Sequence, residues 1–121
     1  MEIKILKNSD SVHLIKLSGA LDLSCSDQIK NLILKMIEKK AECFIIDLLE
    51  IDTINPDGVG TLTYVSSTLK QLRYPLVIIA HNGLVTHALK STRTLHYFTI
   101  APNLKEANAL IKNAKAAGKK T

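Results

Sequence analysis

The spacing of apolar positions changes several times along the chain, and each change marks an element. Residues 2–7 (EIKILK) alternate polar and apolar side chains, and residues 12–17 repeat the pattern with Val12, Leu14, Ile15 and Leu17. These predict two strands joined at Asn8-Ser9-Asp10, with Gly19 breaking the second. From Ser26 to Lys39 the period lengthens, so that Ile29, Ile33, Met36 and Ile37 share one side with Leu32 close by. That is an amphipathic helix, for which Ser24 or Ser26 is the candidate N-cap. Two short, nearly continuous apolar runs follow, Cys43–Leu48 and Pro75–Ala80, the pattern of strands covered on both faces.

Between those two runs lies a helical segment, Asp57–Leu72, long enough for the crossover that parallel neighbours need. A shorter helix is predicted over Leu84–Ser91, a strand near His96–Ile100, and a closing helix from Leu104 to about Ala114 with Ala107, Leu110 and Ile111 inward. The order ββαβαβαβα predicts an α/β domain with a mixed, mostly parallel sheet of about five strands and about four helices. At 121 residues the chain fits one domain able to bury a core unaided. Residues 1–113 are expected to form it, with 114–121 a flexible basic tail.

Composition narrows the functions open to such a domain. Apolar residues make up 46% and charged residues 22%, the balance of a globular protein. No apolar run reaches bilayer length and the start lacks a secretory stretch, so membrane insertion is not expected and the cytoplasm is the expected location. The net charge of +5 invites a nucleic-acid reading, but lysines concentrate near the C-terminus and aromatics, at 4%, do not interleave with them. Nucleic acid is therefore not an expected partner. Cys25 and Cys43 lack metal or redox spacing, and the four histidines (His13, His81, His87, His96) imply no nucleophile–base pair. No cofactor, metal or catalytic group is predicted, and the chain is read as a non-enzyme.

The sharpest local signal is Asn55-Pro56-Asp57-Gly58-Val59-Gly60, where the first apolar run gives way to the long helix. Asn55 fits an N-cap, Pro56 the first helical position, and Asp57 the first turn, where a carboxylate interacts favourably with the helix dipole by roughly 0.3–1 kcal/mol. Helical spacing puts Val59, Leu62, Ser66 and Leu69 inward and leaves Asp57, Thr61, Tyr64 and Thr68 outward. Tyr64 reads either as an interface anchor or as an aromatic lying over the surface. Gly58 and Gly60 serve either a partner's close approach or tight packing of the helix on the sheet. The hydroxyls of Thr53, Thr61, Thr63 and Ser66 are further candidate modification sites.

Residues 54–60 (INPDGVG) resemble the signature at the strand-to-helix junction of STAS domains of the anti-sigma factor antagonist type. Leu17-Ser18-Gly19-Ala20-Leu21-Asp22 is similar to the end of that family's second strand, and the resemblance covers residues 3 to about 113. It implies a protein-interaction module whose partner is an anti-sigma factor kinase or related regulator. It also implies a binding and regulatory surface at Asp22, Asn55, Pro56, Asp57, Gly58, Gly60, Thr61, Tyr64 and Thr68. In the family the residue before the first Gly of the signature is a phosphorylated Ser or Thr. Here it is Asp57, which cannot accept that phosphate but carries a charge of about −1 against roughly −1.5 to −2 for phosphoserine. Asn55 and Pro56 depart from the family's acidic and hydroxyl residues. A small-molecule or lipid-sensing role, with a ligand at the helix start, and a constitutive scaffold role are the other readings the resemblance allows. The response-regulator receiver alternative fails, because residues 5–8 (ILKN) lack the acidic pair that family uses for magnesium.

Overall fold

A computed structural model describes residues 1–7, 12–81 and 83–118. Its elements run β1 (Glu2–Lys7), β2 (Val12–Leu21), α1 (Ser26–Glu38), β3 (Cys43–Ile54), α2 (Pro56–Gln71), β4 (Leu76–Ile79), α3 (Leu84–Ser91), β5 (Ile100–Ala101) and α4 (Leu104–Gly118). Short 3-10 turns lie at Leu23–Cys25 and Leu95–Tyr97. Among the described residues the strands form one sheet in the order β1-β2-β3-β4-β5. The β1–β2 pair is antiparallel and the other pairs are parallel. A two-stranded start can close by a turn, whereas each later parallel neighbour needs its helical crossover.

The sheet is covered on both faces. Ile15, Leu17, Phe44, Ile46, Leu48 and Ile78 pack on one side against α1, α2 and α3. Val12, Leu14, Ile45, Val77 and Ile79 face the other way, onto Ala107 and Ile111 of α4. Double coverage is why residues 43–48 and 76–79 read as unbroken apolar runs. Burying a side chain the size of Phe44 or Ile45 stabilises the fold by roughly 1.5–3 kcal/mol.

Several boundaries differ from the pattern-based expectation. Gly19 does not break β2: with φ +101° it sits at a register shift in the β2–β3 pairing, and the strand continues to Leu21. The strand beginning at Cys43 runs to Ile54, because its polar second half keeps pairing with β2. The strand expected near His96–Ile100 is replaced by a 3-10 turn and a two-residue β5, since the Tyr97 N–H closes a turn onto the Thr94 carbonyl. Helix α1 starts behind Cys25, which gives no side-chain cap, rather than behind Ser24 or Ser26. Helix α4 continues to Gly118 instead of closing near Ala114, through a run of alanine and lysine, both good helix formers. The Asn8-Ser9-Asp10 turn lies outside the described residues.

Candidate functional site

The C-terminal ends of β2 and β3 meet the start of α2. Leu21, fully buried, pairs with Ile54, and its carbonyl oxygen accepts a hydrogen bond from the Asn55 N–H at 3.3 Å. Asn55 is extended (φ −122°, ψ 176°), and its Oδ1 accepts from the Gly58 N–H at 3.0 Å, with Pro56 at the first helical position. The cap and proline roles read from the sequence are thus the observed ones. Asp57 is exposed in the first turn.

The two glycines of the signature have separate reasons. A Cβ on Gly58 would lie 2.1 Å from the Leu21 carbonyl oxygen and 2.7 Å from its carbon, a backbone collision that no rotamer change relieves. Gly58 is therefore a packing glycine that lets α2 dock on the end of β2. A Cβ on Gly60 would meet nothing within 4 Å. Gly60 faces open space, so packing does not account for it.

The outward face of α2 is rotated from the expected one. Thr61 is only 3% exposed, and its hydroxyl donates to the Asp57 carbonyl at 3.2 Å. Thr68 is half-buried, and Val65 is buried beside Val59, Leu62, Ser66 and Leu69. The expectation that Thr61 faces outward is thereby corrected. Helix α2 lies between α1 and α3 as well as on the sheet, so its buried arc is wider than a single stripe. Gly60, Tyr64 and Ser67 form the exposed stripe instead. Tyr64 is 52% exposed, with the Lys30 ammonium 4.3 Å from its ring centroid, a cation–π contact worth about 0.5–1 kcal/mol at such a surface.

Asp22 shapes the neighbouring loop. Its Oδ1 accepts from the Ser24 N–H at 2.9 Å and from the Ser24 hydroxyl at 2.5 Å. The Ser24 hydroxyl, then its N–H, hold the Asp22 carboxyl below its ordinary value by stabilising the charged form. The Cys25 thiol donates to the Asp22 carbonyl oxygen. This tight turn pushes Leu23 outward to 66% exposure, and Leu84, at the start of α3, is 47% exposed. Neither leucine was singled out from the sequence. The available signal was an apolar residue inside a turn, Leu23 between Asp22 and Ser24 and Leu84 directly after Gly83.

Among the described residues no group of three or more His, Cys, Asp or Glu side chains could hold a metal ion. The Ser91 hydroxyl and His87 Nε2 stand 3.5 Å apart on the exposed side of α3, too long for a firm hydrogen bond. Both cysteines are buried in the core. Among the described residues no helix is long and apolar enough to cross a membrane.

A mixed sheet with three helices on one face and one on the other, and a glycine-dependent junction between β3 and α2, defines a particular class of α/β domain. The STAS domain family matches residues 4–107, and the chain belongs to that family. No curated protein matches it significantly. The anti-sigma factor antagonist SpoIIAA in its unphosphorylated form superposes with a TM-score of 0.75 at 17% identity, over 93% of this chain and 97% of that one. An anti-sigma factor antagonist from Mycobacterium paratuberculosis gives 0.78 at 18% identity, over 92% and 95%. A serine-to-glutamate variant of RsbS from Moorella thermoacetica gives 0.78 at 20% identity, over 96% and 99%. The fold is that of SpoIIAA.

Proposed function

We propose that this domain is a non-enzymatic regulator in bacterial signalling, acting in the cytoplasm as an anti-sigma factor antagonist or a close variant of one. Its partner is a protein, an anti-sigma factor of the serine-kinase type or a related regulator, bound at the start of α2 and the loops beside it. The observation that carries the reading is the exposed surface at this end of the sheet. Leu23, Tyr64 and Leu84 are 66%, 52% and 47% exposed, and a Cβ on Gly60 would meet nothing, which leaves room for a partner's backbone on the first turns of α2. Exposed apolar and aromatic side chains are the anchors that recognition surfaces use. Asn55 and Pro56 hold the helix start, Gly58 sets its depth, and Asp22 fixes the loop that presents Leu23. Thr61 and Thr68, buried and half-buried, support the helix from beneath.

Asp57 replaces the residue that carries phosphate in antagonists of this type, so the usual serine switch is absent and a permanent negative charge stands in its place. Pull-down from host lysate with wild type, Asp57→Ser and Gly60→Arg, read by mass spectrometry, tests the proposal. Capture of the same regulator by wild type and Asp57→Ser, together with its loss by Gly60→Arg, is the expected result. Identical captures by all three proteins would overturn the assigned surface.

A further inference from the structure

The opposite end of α2 carries a feature that partner binding at the helix start does not use. Strand β5 is only two residues long, and its ladder with β4 begins at the Ile78 N–H, which donates to the Thr99 carbonyl at 2.9 Å. Among the described residues no strand lies beside Leu76 and Val77 on that side, and the sheet edge opens there into a notch of about 350 Å³. That volume is within the range of small-molecule sites. The last turns of α2, the 3-10 turn at Leu95–Tyr97 and α4 close round it.

The walls are chemically divided. Pro75, Leu76 and Leu110 supply apolar lining, and Tyr74, Tyr97 and Phe98 are aromatic residues along it. Lys70 and Arg73, both exposed, supply two positive charges, and no carboxylate is among the lining residues. Arg73 has φ 66°, at the position after the helix end where glycine is the preferred residue. The backbone holds it there through the Tyr74 N–H, which donates to the Leu69 carbonyl at 2.8 Å. On the other side of the notch the Ser66 hydroxyl donates to the Tyr97 carbonyl at 3.2 Å, tying α2 to the 3-10 turn.

We propose that this notch binds a small organic anion, a carboxylate or sulfonate on an aromatic or short aliphatic body. The guanidinium of Arg73 presents the planar donor fork that matches a carboxylate, Lys70 adds a second positive charge, and the apolar lining takes the body. The site lies at the far end of α2 from Asp57, so ligand and protein partner occupy different surfaces of one helix.

The test is NMR titration of the isotope-labelled full chain with naphthalene-2-carboxylate and with octanoate, using naphthalen-2-ylmethylammonium as a cation of matched shape. Saturable shifts at Ser66, Tyr74–Val77 and Tyr97–Thr99 are expected for at least one anion and not for the cation. Arg73→Gln and Lys70→Gln, each checked for an unchanged melting temperature, should weaken that binding by about tenfold, the loss of one charge-assisted contact. Saturation by neither anion overturns the proposal. So do shifts centred on Asp57, equal binding of the cation, or undiminished binding by both variants.

Discussion

The two ends of α2 are finished by opposite means. At its start Gly58 stands where a Cβ would lie 2.1 Å from a backbone oxygen, and that contact leaves room for glycine alone. At its end Arg73 occupies a left-handed position that favours glycine, yet carries one of the largest side chains. The same substitution recurs at the ends of α1 and α3, where Lys40 and Arg93 have φ 66° and 58°. In all three the following N–H closes back onto a carbonyl one and a half turns earlier: Ala41 onto Met36, Tyr74 onto Leu69, and Thr94 onto Leu89. The difference shows which constraint is hard. A backbone collision leaves no alternative, whereas a left-handed φ costs only about 1–2 kcal/mol, partly offset by a positive charge near a helix C-terminus.

That contrast can be broken most forcefully at Gly58. Gly58→Ala must push α2 off the end of β2, and a loss of about 3 kcal/mol is expected, read as a fall in the denaturant midpoint. Asn55→Ala removes the side-chain cap on the Gly58 N–H and should cost about 1 kcal/mol by the same measurement. Gly60→Ala should move the other way, because its Cβ meets nothing and alanine is the better helix former. A gain of about 0.5–1 kcal/mol is expected, and a loss would mean that Gly60 is also a packing glycine. Arg93→Gly relieves the left-handed strain but removes a charge from the end of α3, leaving a net gain of about 0.5 kcal/mol in thermal unfolding.

The smallest effect concerns Asp22. Its carboxyl is held below the ordinary 3.8 in the folded state by Ser24, so the charged form favours folding. That contribution is present above pH 3.8 and is lost as pH falls below it through the folded-state value. Melting temperature measured across that acid range should fall less steeply for Asp22→Asn than for wild type. Parallel curves would remove Asp22 from the acid response.

Much of the architecture was legible because it rests on local periodicity. The strands marked by the apolar runs at 43–48 and 75–80, the bounds of α3 and the Asn55-Pro56 helix start depend on neighbouring residues, and all are present, the second strand spanning Leu76–Ile79. The shortness of β5 was not legible, since the residues before Ile100 look like a strand until the turn at Thr94–Tyr97 and the bond from Ser66 redirect them. The facing of α2 was legible only in part. Val59, Leu62 and Leu69 point inward as the helical period requires, but Thr61 is buried by the adjoining elements, which a one-dimensional pattern does not contain.

By itself the sequence determined the element order, the doubly covered central strands, the helix start at Asn55 and the family signature around Gly58. These follow from side-chain period, capping chemistry and backbone preference within a few residues. Only the tertiary structure showed Gly58 to be a packing glycine and Gly60 to face open space, turned the exposed stripe of α2 to Gly60, Tyr64 and Ser67, pushed Leu23 outward and opened the notch beside β4. Each of these depends on the distance between atoms far apart in the chain, and packing alone fixes that distance.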